Sequence, residues 1–200
     1  MLAIDLETTA DTSVIDLLPE IEADVRLKDP VKIEEDIKKK REKQIEGMAL
    51  NPLYGKIVCI GYYGDNIQEV DFGSEKKMIE NFIKRVIRTT ETVVTWNGYG
   101  FDIPFIFKRG LKYNLCKLTE MQFYISKNNG KLVDLMTLFA GWGKYEKLDN
   151  VAKVLLNDEK EEFDVKKISE LIKTDSGKEM IRRYCLKDCE LTYKLGQLMI

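Results

Sequence analysis

Apolar residues along the chain alternate between two spacings, every second position in short runs and every third or fourth in longer ones, which predicts strands interleaved with helices. The first run, Ala3-Ile4-Asp5-Leu6-Glu7-Thr8-Thr9, reads as a strand in which Ile4 and Leu6 face one way while Asp5 and Glu7 project together from the other side. Residues Asp11 to Asp29 follow no period and are bounded by the breakers Pro19 and Pro30. Val31 to Met48 predicts a helix with only a thin apolar line, Ile33, Ile37, Ile45 and Met48, amid dense mixed charge. Lys56 to Tyr63 and Ile67 to Phe72 predict a hairpin turning at Gly64-Asp65-Asn66. Glu75 to Arg88 places Met78, Ile79, Phe82, Ile83, Val86 and Ile87 on one helical face.

The second half continues in the same way. Thr92 to Trp96 is a short β-branched strand of the buried kind, followed by Asn97-Gly98-Tyr99-Gly100-Phe101-Asp102-Ile103-Pro104-Phe105 and a helix to about Lys112. Leu132 to Met136 predicts another strand, and Leu148 to Leu156 a short helix. The polar stretch Asn157 to Lys167 separates these from a long final helix that starts near Ser176. A hairpin followed by alternating strands and helices predicts a mixed α/β sheet covered by helices, in one domain over residues 1–200 with a helical insertion at about 18–50.

Composition narrows the chemistry. The 200 residues are 44% hydrophobic and 33% charged, as in a soluble globular protein, and no run is long and apolar enough to span a membrane. With no signal-peptide pattern in the first fifteen residues, cytoplasmic residence is expected. The four cysteines do not form a disulfide framework; Cys185 and Cys189 share a helix face but have no second close pair to complete a zinc site. A net charge of −2 argues against holding nucleic acid by bulk electrostatics, yet allows a local basic groove around an acidic centre. The chain contains no histidine, which excludes Ser-His-Asp and Cys-His triads and any histidine general base.

Several acids are out of place for a purely structural role. Asp5 and Glu7 share one strand face, where like charges oppose each other's ionisation unless a cation joins them. Asp102 stands at a strand-to-helix junction, the usual functional edge of an α/β sheet; a helix N-cap is the alternative reading. Tyr184 and Asp188 lie four residues apart on one face of the last helix, with Asp188 inside a partly apolar stripe.

In their order and context, Asp5-Leu6-Glu7-Thr8-Thr9, Asn97-Gly98 with Phe101-Asp102-Ile103-Pro104-Phe105, and Tyr184-Cys185-Leu186-Lys187-Asp188 resemble the three motifs of the DEDD superfamily of 3′–5′ exonucleases. The tyrosine four residues before the last aspartate marks the tyrosine (DEDDy) branch. Lys147 to Leu155 is also similar to the helix before the third motif in the proofreading domains of family B DNA polymerases. The resemblance implies a ribonuclease-H-like fold with a mixed five-stranded sheet, and phosphodiester hydrolysis assisted by two divalent ions, Mg²⁺ or Mn²⁺.

By that resemblance Asp5 would bridge both ions, Glu7 and Asp188 would complete the nucleophile side, Asp102 would hold the leaving-group side through water, and Tyr184 would position the attacking water. The partner implied is the 3′ end of single-stranded DNA, with RNA as the alternative and a polymerase or repair protein as a partner in trans. Leu6, Thr8, Asn97, Tyr99 and Phe101 are candidates for contacting the strand, each with a core or turn role as the alternative. The charged helix at 31–48 is either a solvated face or an arm that steers the strand. An inactive relative serving as a binding module is the competing function. The intact set of acids argues against it.

Overall fold

The computed structural model describes residues 1–124 and 131–200. Strand β1, Leu2–Ala10, is the middle of a five-stranded sheet in the order β3-β2-β1-β4-β5, where β2 is Gly55–Gly64, β3 Ile67–Asp71, β4 Val93–Thr95 and β5 Leu132–Asp134. Strand β2 runs antiparallel to β1, β3 returns antiparallel to β2, and β4 and β5 run parallel to β1. This is the mixed sheet of a ribonuclease-H-like fold.

Alternation along β1 divides the molecule. Ile4 and Leu6 enter a core built with Met78, Ile79 and Phe82 of helix α2 (Glu75–Phe82) and Ile103, Phe105 and Ile106 of α3 (Asp102–Leu111). From the opposite face Ala3 and Val94 meet Leu148, Val151 and Ala152 of α6 (Leu148–Leu156) and Leu191 and Leu195 of α8 (Asp175–Met199). A third cluster packs Val58 and Cys59 of β2 against Ile168 of the short α7 (Ile168–Leu171) and Ile181 and Cys185 of α8. Truncating a fully buried residue such as Ile4 or Leu135 would cost about 2–5 kcal/mol.

Helix α8 reaches the sheet closely because Gly61 of β2 has no side chain. A Cβ there would lie 2.7 Å from Cys185 Sγ and 2.6 Å from Cys189 Sγ. Since Gly61 pairs with Asp5 across the sheet, this contact brings the Tyr184–Asp188 turn of α8 over the acidic face of β1.

The predicted helix at 31–48 is α1, Pro30–Gly47, opened by Asp29, whose carboxylate accepts from Val31 N at 2.9 Å. None of its residues is buried. Two boundaries differ from the sequence reading. The strand expected over Leu132 to Met136 ends at Asp134, whose carboxylate accepts a bond from Thr137 N and starts α5, Leu135–Ala140. The helix expected over Glu75 to Arg88 passes into a wider π-type turn at Ile83–Ile87. Helix α4, Leu118–Tyr124, and α7 carried no clear period in the sequence.

Candidate active site

Asp5 and Glu7 are placed by β1, and Asp102 by the turn that leads from β4 into α3. Asp5 and Glu7 sit on β1 where it pairs with Gly61 and Cys59 of β2, just before a bulge at Glu7–Thr8. The bulge leaves Ile57 N to donate to Glu75 Oε1 at 2.9 Å. Asp102 is the first residue of α3, with Phe101 in the cap position and no side-chain cap, so the N-cap role is not the one it plays. The turn before it starts at Asn97, whose φ of 67° is left-handed, a conformation asparagine tolerates better than most residues. Buried Asp134 clamps this turn, accepting from Asn97 N at 3.2 Å and Tyr99 N at 2.9 Å.

The fourth acid, Asp188, comes from α8 and is 4% exposed. Asp5 and Asp188 line one cleft together with Trp96, Asn97, Tyr145, Lys147, Leu148, Asp149 and Lys160. Donor atoms of Asp5, Glu7 and Cys185 lie within 4.8 Å of one another. Oδ2 of Asp5 and Oδ1 of Asp188 are buried without any hydrogen-bond partner. A buried carboxylate oxygen left in that state costs free energy unless something fills the space. The carboxylate oxygens of Asp5, Glu7 and Asp188 suit a hard divalent cation such as Mg²⁺ or Mn²⁺; the Cys185 sulfur beside them is a softer donor that such a cation does not need.

Electrostatics give the same reading. Burial, followed by the Cys185 sulfur and then the charges of Asp188, Glu7 and Asp102, pushes the Asp5 carboxyl well above the usual carboxylate range, and burial with Cys185 and Asp188 does the same to Glu7. Asp102 is pushed up to about 7, mainly by burial, and Asp188 to about 6 by burial against the opposing pull of Lys160. Without a cation, this cluster resists full ionisation at neutral pH.

Lys160 is the functional candidate that sequence reasoning missed. Its ammonium pairs with Asp188 and lies 4.9 Å from the centre of the Tyr184 ring. Burial alone would lower its pKa, but Asp188 and Tyr184 carry it upward, so it stays charged. Asp149 Oδ1 fixes the loop by accepting from Lys160 N at 3.1 Å, and Phe163 stacks on Tyr184 with ring centres 4.5 Å apart. The Tyr184 hydroxyl is raised above its ordinary value by burial and then by Asp188, so it remains protonated.

A family profile described as a predicted 3′–5′ exonuclease related to the exonuclease domain of PolB matches residues 65–196. The chain belongs to this family. The match includes Asp102, Tyr184 and Asp188, while Asp5 and Glu7 precede it and join the other acids through the fold.

Relatives of this PolB-related exonuclease domain include DNA polymerase 1 of Sulfolobus acidocaldarius, 31% identical over 146 residues that cover 66% of this chain and 16% of the polymerase. The DNA polymerase of Pyrococcus glycovorans is 28% identical over 142 residues, covering 62% of this chain and 18% of its own. The chain thus matches less than a fifth of the length of these polymerases. The family B DNA polymerase from Pyrobaculum calidifontis shares the fold, with a TM-score of 0.63 at 17% identity over 98% of this chain and 24% of that one.

The residues expected to contact a strand fall in different places. Asn97 lines the cleft. Leu6 is 5% exposed and sits in the core with α2 and α3, and Thr8 Oγ1 donates to Ala49 O at 2.7 Å. Tyr99 and Phe101 are half-buried against that same core; the Tyr99 hydroxyl donates to Leu132 O at 2.7 Å, and Phe101 packs on Phe105. Among the described residues no helix is long and apolar enough to cross a membrane.

Proposed function

We propose that this protein is a metal-dependent 3′–5′ exonuclease that shortens single-stranded DNA from its 3′ end. The observation that carries this reading is a group of four neighbouring buried or half-buried acids, Asp5, Glu7, Asp102 and Asp188, of which, among the described residues, only Asp188 is ion-paired, with Lys160, while one oxygen each of Asp5 and Asp188 has no partner at the cleft they line. A structural cluster would be neutralised from within the chain. This one calls for cations from outside.

In this reading Asp5, Glu7, Asp102 and Asp188 would hold two divalent ions, Mg²⁺ or Mn²⁺. Bound there, such ions would supply an acidified water and charge neutralisation at the leaving oxygen. Tyr184, protonated at neutral pH, orients that water through its hydroxyl rather than taking its proton. Lys160 holds the Asp188 carboxylate and the Tyr184 ring in register and offers a positive charge to the scissile phosphate. Asn97 contacts the strand from the end of β4. DNA is favoured over RNA because the matched relatives are DNA polymerases.

The test is the length ladder from a 5′-labelled single-stranded DNA with Mg²⁺ or Mn²⁺, beside an RNA of the same sequence, with EDTA and Asp5→Ala as controls. Stepwise shortening of the DNA, abolished by both controls, supports the reading. Faster shortening of the RNA would reassign the substrate, and intact strands would leave the fold without this activity.

A further inference from the structure

The cleft has lining residues that none of the roles above uses. Tyr145 lines the same cleft as Asp5, Asp188 and Lys160, yet is 69% exposed. An aromatic ring left open to solvent beside a buried charged centre offers a flat apolar face to whatever enters. Its backbone is held on the C-terminal side. The Trp96 indole, one residue beyond β4, donates to Glu146 O at 2.9 Å, and Glu146 Oε1 accepts from Lys147 N and Asn150 Nδ2, both at 3.0 Å. The residue after the ring is therefore tied both to the sheet edge that carries Asn97 and to the start of α6.

Charge adds a second observation. Lysines 153, 160, 187 and 194, all on or near α6 and α8, are paired with acids. Lys147, which also lines the cleft, is exposed and forms no ion pair among the described residues. An unpaired ammonium beside an open aromatic ring is the combination that takes a base and a phosphate of a single strand. The cleft, about 290 Å³, lies just below the ~300–1,000 Å³ of small-ligand pockets and suits one nucleotide unit rather than a duplex.

We propose that Tyr145 and Lys147 form the seat of the 3′-terminal nucleotide, with the Tyr145 ring stacking on its base and Lys147 pairing with a backbone phosphate. The proposal rests on the exonuclease reading for its substrate. Trp96 acts as a positioning residue by anchoring Glu146. Stacking tolerates any base, so the seat senses that a terminal base is present and not which base it is.

Two measurements separate this proposal from the exonuclease reading. The first compares kcat/KM for a strand with an intact 3′ nucleotide and one with an abasic 3′ nucleotide. Wild type should prefer the intact end by about tenfold, the lower range for one stacked base; Tyr145→Ala should lose that preference and Tyr145→Phe keep it. Lys147→Ala should raise KM with little change in kcat and reduce the salt slope by about one phosphate contact. The second uses a strand ending in 2-aminopurine with Ca²⁺ and no turnover, where wild type and Tyr145→Phe should alter the base fluorescence on binding and Tyr145→Ala should not. A preference and a fluorescence change that survive Tyr145→Ala overturn the seat even if the DNA is shortened normally. If no strand is shortened, the exonuclease reading fails, and the fluorescence still decides whether Tyr145 stacks on a base.

Discussion

Two buried clusters of charge lie on opposite faces of the sheet, and they are built on opposite principles. On the α2–α3 side Arg109, 4% exposed, donates to Glu75 at 2.8 and 2.7 Å and to Asp11 at 3.1 Å, while Tyr113 Oη donates to Glu75 and Ser13 to Asp11. On the α8 side four carboxylates meet one lysine, and two of their oxygens bond to nothing. Burial acts to raise the Asp11 carboxyl, but the bonds from Ser13 and Arg109 outweigh it and take it down to about 2. Asp102 and Asp188, with less compensation, go up instead. The first cluster is complete and serves the fold, tying the end of β1 to α2 and α3. Only the incomplete cluster has capacity left to bind something.

The largest effect should come from breaking the incomplete cluster. Asp5→Ala is expected to reduce turnover roughly a thousandfold or more. Its thermal unfolding without metal should be no worse than wild type, since one repelling charge is gone. Loss of the fold in Asp5→Ala, read by circular dichroism, would mean that this acid is structural.

The reverse pattern is expected for Arg109→Ala, which removes the cation shared by Glu75 and buried Asp11. Asp11 keeps Ser13 and Lys112, and Glu75 keeps Tyr113, so the cost should be about 3 kcal/mol, or roughly 10 °C in melting temperature for a chain of this size, with activity intact in the molecules that remain folded. A melting temperature within a degree or two of wild type would show the ion cluster to be dispensable.

Neither cluster was equally legible in the sequence. Asp5, Glu7, Asp102, Tyr184 and Asp188 stood out because their spacing is set by single strands and helix turns, where local geometry decides which side chains share a face. The same alternation that pairs Asp5 with Glu7 sends Leu6 into the core, the alternative to a strand contact that the sequence had left open. Lys160 lies within Asp158-Glu159-Lys160-Glu161-Glu162, a run without period in which no one charge is distinguishable from its neighbours. Its importance comes from the loop fixed by Asp149, a contact across eleven residues. Arg109 follows Lys108 on a helix and reads as an ordinary surface cation until the fold closes over it. The start of α5 was hidden by Leu135 and Met136, which extend the apolar run of β5, whereas the Asp134 carboxylate ends the strand by capping the helix.

A smaller effect tests the link between Lys160 and the acids. Lys160→Met should slow turnover by about ten- to a hundredfold, because Asp188 loses the charge that opposes its protonation and Tyr184 loses a neighbour that orients it. Tyr184→Phe should fall in the same range, with the fold and weak activity retained. If Lys160→Met left kcat unchanged, Lys160 would be a merely structural contact.

The subtlest contrast is in pH. Asp102 at about 7 and Asp188 at about 6 lie above their unfolded values, so the metal-free folded state binds more protons than the unfolded chain between about pH 4 and 7. Stability should therefore fall as pH rises through that window. Asp11, depressed to about 2, works in the other direction, and its contribution is present above about pH 4 and is lost as pH falls toward 2. Melting temperatures of the metal-free protein should thus peak on the acid side of neutrality, and Mg²⁺ or Mn²⁺ should flatten the fall above the peak by binding the ionised acids. A metal-free profile that keeps rising from pH 4 to 8 would contradict the raised pair.

Titration of Mn²⁺ into the metal-free protein by calorimetry, in wild type and Asp5→Asn, tests most directly whether the incomplete cluster is a divalent metal centre. Wild type should bind two ions saturably, and a folded Asp5→Asn should lose that binding. No saturable binding at millimolar Mn²⁺, or the same isotherm in both proteins, would contradict a divalent metal centre at this cluster.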